Sequence, residues 1–481
     1  MVKTIGSTKD PKRIKQLEME ARNFLTGNQQ KLFSFKTKED LAIEDFLQGL
    51  SNSQIHTIGP ELIFGTLFDR IGFNLISEKL FRHITVARLA YPTSKLKTVD
   101  YLYRYRRIET NADEIYRFLD KLNKKYKETA EKVAYEYTKR TLKNISVVFY
   151  DMTTLYFETE DEDDLRKIGF SKDGKFQNPQ IMLGLLVGQN GYPIGYDIFE
   201  GNTFEGHTLV PTLEKIQKKY QFEKPIVIAD AGLLSKDNIE KLQTEKYQFI
   251  IGARIKNESD RIKREILEKS SGLKDGQTFQ IEKPDSTTLV VGYSDKRKRK
   301  DEYNRKKGIR KLEQRIGSGR LTKESINNRG YNKFLELVGE VKVELNQEKI
   351  KGDEKWDGLK GYVTNANLKP EEIIENYRHL WQIEKAFRIS KTDLKVRPIY
   401  HYKRKRIESH ILIAFVAYTI WKELERLLEK NQAGFSPKRA AELTHNMYEM
   451  EYMLPNSDEL EKIILKMDSE QEALRKIVQE S

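Results

Sequence analysis

The sequence predicts a mixed α/β protein whose sheet core lies between helical regions and is interrupted by a basic, β-rich insertion. Three observations carry this expectation. The runs "ISVVFYD" (145–151) and "KPIVIAD" (224–230) have the unbroken apolar texture of strands buried on both faces. Two further strand-like runs in "QIMLGLLVGQNGYPIGYDIFEG" (180–201) meet at Asn190-Gly191, a strong hairpin signal. Helical periodicity dominates the chain before these runs and near its end.

Taken in order, residues 1–140 show no strand alternation and read as a helical N-terminal region. The core begins at 141 and continues to 256: three leading strands, the helix "TLVPTLEKIQKKY", the strand ending at 230, a helix capped by Ser235, and the strand "QFIIGARI". Residues 257–350 form the insertion, irregular and very basic. There "TFQIEK", "TTLVVGYS" and "FLELVGEVKVEL" bracket the run "DKRKRKDEYNRKKGIRKLEQR". The core resumes over 351–430: "GLKGYVTNA" reads as a strand returning to the first sheet. A helix with Pro370 at its first position and Glu371-Glu372 in its first turn follows. Residues 431–481 read as a C-terminal helical region, a candidate for dimerisation.

With 481 residues, the chain exceeds one compact core. Its 86 Lys and Arg against 73 Asp and Glu give a net charge of +13, which favours a polyanionic partner, nucleic acid or an anionic membrane surface. A charge run is more often a solvated face, so the excess alone decides nothing. The absence of cysteine excludes disulfides and thiolate metal sites and fits a cytoplasmic protein. The N-terminus has no apolar signal segment, and "ILIAFVAYTIW" (411–421) covers about half of the ~20 residues of a membrane span. No membrane role is expected.

Asp151 and Asp230 each close a buried strand, where α/β sheets gather their sites. Either one alone is more simply a turn or cap residue; the pair favours a site. Two carboxylates ~4 Å apart repel by about 4 kcal/mol at an effective dielectric of 20, so a cation should compensate. Without cysteine and with 7 His, the hard oxygen donors point to two Mg²⁺ or Mn²⁺ ions, a pair suited to phosphodiester cleavage. A third acid is available in "YRHLWQIEKAFRISK" (377–391). At about 100° per residue Tyr377, Glu384 and Lys391 share one helical face, with Trp381 and Arg388 close by. That stripe suits phosphate and base contacts; the plainer alternative is a surface helix with a Glu384–Arg388 pair. His207, His401 and His410 are better read as structural residues than as ligands.

The ordered set "YDMTTLYFE" (150–158), "EGNTFEGH" (200–207), "VIADAGLLS" (227–235) and "YRHLWQIEKAFRISK" resembles the DDE transposases of bacterial insertion sequences. It is most similar to the branch with a β-rich insertion in a ribonuclease H-like domain and a Tyr-Arg-Glu-Lys signature. The resemblance spans about residues 50–425. It implies a ribonuclease H-like core, with Asp151, Asp230 and Glu384 as the catalytic, metal-binding acids. Thr153, Asn202 and Thr203 are implied to border the site. Tyr377 and Lys391 match the signature's Tyr and Lys and are expected to contact DNA. The signature's Arg does not match, because Leu380 occupies its place. Arg388 is the better substitute, since Arg378 points about 120° away from Glu384.

The resemblance further implies cleavage of DNA at terminal inverted repeats and strand transfer by the exposed 3′-OH. Double-stranded DNA is the implied partner, with at least a homodimer pairing two ends in a nucleoid-associated, cytoplasmic setting. The helical N-terminal region is the candidate for end recognition, and an upstream segment is expected. Arg378, Trp381, Arg388 and the basic stretches Lys296–Lys300, Arg305–Arg310 and Lys403, Arg404, Lys405 and Arg406 are candidates for phosphate contacts. Two alternatives stay open at this point: a domesticated or inactive DNA-binding relative, and a metal-dependent nuclease of the same fold that only hydrolyses.

Overall fold

The computed structural model describes residues 4–28, 37–318, 321, 325–327, 329–338, 342–454 and 459–480. Its strands, in chain order, begin with β1 (Ile55–Thr57), β2 (Val147–Tyr156), β3 (Gln180–Val187), β4 (Pro193–Glu200), β5 (Ile226–Ala229) and β6 (Phe249–Ala253). They continue with β7 (Thr278–Glu282), β8 (Thr288–Tyr293), β9 (Leu335–Val338), β10 (Lys342–Leu345), β11 (Leu359–Thr364), β12 (Tyr448–Met453) and β13 (Leu460–Ile464).

Eight strands form one sheet in the order β4-β3-β2-β5-β6-β11-β8-β7. β2, β3 and β4 are antiparallel neighbours, whereas β5 and β6 run parallel to β2. This is the ribonuclease H-like arrangement. Asn190 and Gly191 turn β3 into β4 with φ of 58° and 74°, the left-handed pair that such a turn requires. β3 is buried along its whole length, as its unbroken apolar run demands.

Strand alternation divides the core. Val147, Phe149, Ile228 and Ile250 face one hydrophobic cluster with Ile383, Phe387 and the helix Arg404–Lys430. Val148, Tyr150, Val227 and Phe249 face another, with Leu213 and Ile216 of the helix Leu209–Tyr220 and Leu242 of the helix Lys236–Thr244. A two-residue period thus commits Asp151 and Asp230 to the face that carries Glu384's helix.

The insertion extends this sheet through β7 and β8, which reach the core by pairing with β11. The basic run is not irregular: Asp295–Gly317 is a single 23-residue helix. Ile309, Leu312 and Ile316 recur on one side of it and pack with Phe334, Leu335 and Val343 around the hairpin β9–β10. The abundance of Lys and Arg, good helix formers, concealed that narrow stripe.

Contacts divide the chain into two units. The larger comprises Thr57–Met447 and Met467–Ser481 and contains the eight-stranded sheet. The smaller comprises Met1–His56 and Tyr448–Lys466, with the helices Pro11–Asn28 and Lys38–Gly49 and the sheet β1-β12-β13. The C-terminal stretch is therefore not wholly helical. In "YEMEYM" Tyr, Met and Tyr alternate with Glu, the two-residue period of a strand, and β12 pairs with β13 there. Among the described residues no helix is long and apolar enough to cross a membrane.

Candidate active site

Tyr150 and Ala229 are partners in the parallel register of β2 and β5, so Asp151 and Asp230 follow side by side. Asp151 does not close its strand as the sequence predicts: β2 continues past it to Tyr156, paired with β3 throughout, and only Asp230 stands just beyond a strand. Asp151 is partly buried and its Oδ1 accepts the Met152 N–H at 2.7 Å. Asp230 is exposed just beyond β5, and its Oδ1 accepts the Gly232 N–H at 2.7 Å. Burial pushes the Asp151 carboxyl up to about 6; Lys172 and the Met152 N–H oppose that rise, and the charges of Asp230 and Glu205 add to it.

Lys172 is the cation among these acids. Its Nζ donates to the Met152 carbonyl at 2.7 Å, pairs with Glu205 Oε1 at 2.8 Å and lies 3.6 Å from Asp151 Oδ1. Burial lowers the ammonium's pKa, but Asp151, Glu205 and Asp230 outweigh it and hold the group protonated. The next residue has the opposite role: Asp173 pairs with Lys391 at 3.1 Å and with Arg397 at 2.5 Å. The turn is fixed to the sheet, since Thr154 Oγ1 accepts the Lys172 N–H and Ser171 Oγ accepts that of Lys175.

Glu384 lies in a segment whose sequence predicts one continuous helix over 377–391. The structure divides it into Pro370–Arg378 and Trp381–Arg388, followed by a wider turn over Ile389–Asp393. Between the two helices the bonds tighten to i→i+3, from Leu380 to Tyr377 and from Ile383 to Leu380. Simple seven-residue stacking of Tyr377, Glu384 and Lys391 therefore does not describe this segment. Tyr377 is buried, Glu384 exposed, and Lys391 only 11% exposed and held by Asp173. Burial raises the Tyr377 phenol, and the charges of Asp230, Tyr362, Glu384 and Asp151 raise it further. Gly252 leaves room for the Tyr377 hydroxyl, because a Cβ there would collide with it. Lys360 stands over the Tyr377 ring at 4.4 Å.

Leu380 is buried in the core, whereas Arg388 is exposed one turn beyond Glu384. No Glu384–Arg388 ion pair forms among the described residues. Arg378 pairs with Glu375 at 3.1 Å, and Trp381 is 52% exposed. Thr153 is buried within β2, Asn202 is exposed, and the Thr203 N–H bonds to the Glu200 carbonyl. Three of the cations after the Glu384 segment have carboxylate partners: Arg406 grips Asp120 at 2.9 and 3.0 Å, Lys405 reaches it at 3.3 Å, and Arg404 pairs with Glu408. Lys403 is exposed at the helix start. His410 bonds to the Val396 carbonyl and packs on His401, while His207 packs on Phe204.

Sequence reasoning missed Lys172, Asp173 and Glu205. Glu205 lies within "EGNTFEGH", while "SKDG" has only the look of a turn. The donor set fits hard divalent cations, and the Lys172 ammonium already compensates the acids electrostatically. These acids do not have ligand atoms all within 4.8 Å of one another. Among the described residues the group that does is His56, Glu449 and Glu451 in the smaller unit, where Lys462 also pairs with Glu451.

A sheet of this order, with one acid inside its central strand, a second just beyond the parallel neighbour and the helix of Glu384 packed on the same face, defines a ribonuclease H-like domain. The family model described as "Transposase DDE domain" matches residues 142–420, and the chain belongs to that family. Family membership implies use of a divalent metal. The chain is 23% identical over 249 residues to the transposase for insertion sequence element IS1151 of Clostridium perfringens, covering 47% of this chain and 46% of that protein. It is 25% identical over 245 residues to the transposase for element IS231E of Bacillus thuringiensis subsp. finitimus, covering 49% and 46%. The chain thus spans about half the length of the curated relatives it matches. Among solved structures it is similar to the piggyBac transposase synaptic complex with hairpin DNA, with TM-score 0.39, 10% identity and coverage of 80% and 79%. It is also similar to the Mos1 transposase paired-end complex, with TM-score 0.17, 12% identity and coverage of 50% and 68%.

Proposed function

We propose that the chain is a DNA transposase that binds the terminal inverted repeats of an insertion sequence, cleaves there and joins the exposed 3′-OH to target DNA. The observation that carries this reading is the side-by-side placement of Asp151, within β2, and Asp230, just beyond β5, on the sheet face of Glu384's helix, within a transposase-family match. Asp151, Asp230 and Glu384 would hold two Mg²⁺ or Mn²⁺ ions, which when bound supply water activation and charge stabilisation in phosphodiester chemistry. The chain's own part is positional. The middle of β2, the end of β5 and one short helix carry the carboxylates, with Tyr377 buried against Gly252 of β6. Lys391 and Arg388 offer charge to the backbone, with Asp173 yielding Lys391 to a phosphate.

A groove of about 560 Å³ is lined by Ala231, which follows Asp230, by Tyr377 and Lys360, and by Arg297 of the insertion helix. It is a path for one DNA strand. Two ends require two active sites, so the acting form is at least a homodimer, in the bacterial cytoplasm with the nucleoid. The test uses supercoiled DNA bearing the element's ends. Asp151→Ala, Asp230→Ala and Glu384→Ala are each expected to abolish cleavage while DNA binding stays measurable. Nicking at the wild-type rate by any of them sinks the assignment of the acids. Joined products from a supplied 3′-OH end separate a transposase from an enzyme that only hydrolyses.

A further inference from the structure

A second cavity, of about 500 Å³, is bounded by Pro92–Ser94, the first turn of the helix Lys95–Arg106 and the segment from Lys395 to His401. Arg88, Lys95, Lys395 and Arg397 line it, and no Asp or Glu does. Lys95 is 5% exposed, and its ammonium has no hydrogen-bond partner among the described residues. Arg88 is equally buried and, among the described residues, donates only to the Leu394 and Lys395 carbonyl oxygens, both at 3.3 Å. Two neighbouring cations removed from water without a carboxylate are unfavourable unless a ligand supplies the missing charge.

The surroundings specify that ligand. The helix Lys95–Arg106 presents its positive end to the cavity, capped by Ser94 and without an acid in its first turn. Metal cations are excluded by the charge. A purely apolar molecule would leave Lys95 unpaired. Tyr116 and Tyr400 add aromatic walls, and the volume lies in the range of small-molecule sites. We propose that this cavity binds the phosphate of a nucleotide, with Lys95 and Arg88 as its charged contacts and the tyrosines beside its base. The nucleotide has two possible sources, a backbone unit of bound DNA or a free mononucleotide. Arg397 joins the cavity to the candidate active site, because it also pairs with Asp173, which holds Lys391. The inference does not depend on the assignment of the three acids.

The test follows thermal unfolding of the full chain with inorganic phosphate, dAMP or adenosine, and duplex affinity by fluorescence anisotropy. Wild type is compared with Lys95→Met and Lys95→Arg. Without ligand, Lys95→Met is expected to melt higher than wild type, since it removes a buried unpaired charge at similar volume. Phosphate and dAMP, but not adenosine, should stabilise wild type and Lys95→Arg, and Lys95→Met should need about tenfold more of either. That result with unchanged duplex affinity identifies a free nucleotide. A roughly tenfold loss of duplex affinity in Lys95→Met, rescued in Lys95→Arg and without a dAMP response in wild type, identifies the DNA backbone. If Lys95→Met responds to phosphate, dAMP and duplex as wild type does, whether or not it melts lower, Lys95 has only a packing role and the proposal is overturned.

Discussion

At Asp151 the folded chain holds a carboxyl where burial disfavours its charge, so its pKa rises from 3.8 to about 6. The sign follows directly. The folded state binds this proton more tightly than the unfolded one, so below about pH 4 the group has no adverse effect, and above about pH 6 the full penalty applies. Asp151→Asn should therefore stabilise the metal-free protein at pH 7.5 by on the order of 1–3 kcal/mol, the gain fading as pH falls from 6 to 4. Thermal melts in chelator across that range check it, and a gain that persists at pH 4 contradicts burial of the charge as its cause. Lys172 explains why the penalty is not larger. Its ammonium sits between Glu205 and Asp151 and partly offsets their repulsion before any metal arrives.

At the scale of elements, the insertion helix Asp295–Gly317 adds one buried ion pair to the apolar stripe that packs it. Arg305 meets Asp357 through two bonds of 2.5 Å, with both residues at least nine-tenths buried. Removing the guanidinium would leave Asp357 charged and alone. Arg305→Met should cost about 3 kcal/mol and lower hydrogen-exchange protection over 295–317 before that of β2 and β3. Uniform loss of protection across the sheet would show that the helix is not a separable element. The same helix shows why Arg305 does not belong with the DNA contacts proposed for its neighbours. It is buried and paired, whereas Lys296, Lys300 and Lys307 are exposed on one side.

Over the whole molecule the excess of 13 positive charges has somewhere to act only where cations are not already neutralised. Arg404 is engaged by Glu408 of its own helix, and Lys405 and Arg406 by Asp120, which joins the helix Arg404–Lys430 to the helix Ala112–Lys121. The insertion helix retains its exposed stripe. Replacing Lys296, Lys300 and Lys307 together by alanine should reduce the slope of log affinity against log salt by roughly two to three units, with melting temperature unchanged. An unchanged slope would place the DNA elsewhere.

The strands, the hairpin at Asn190-Gly191 and the aspartate just beyond β5 were legible because burial on two faces and a left-handed turn restrict composition locally. That β2 runs on past Asp151 to Tyr156 was not, because the polar residues of "DMTTLY" end the unbroken apolar run there. Family membership was legible in the spacing of four short motifs. The break after Arg378, which buries Leu380 and exposes Glu384, was not, because its tight bonds depend on packing against the sheet rather than on any local breaker residue. Lys172 and Asp173 look like part of an ordinary turn until the fold brings Asp151 and Glu205 to one side and Lys391 and Arg397 to the other. The sequence by itself determined which residues could be strand, turn and acid, since those preferences act over a few neighbours. Only the tertiary structure decided which charges meet, because Coulomb interactions depend on distance in space and on exclusion of water, and neither is written along the chain.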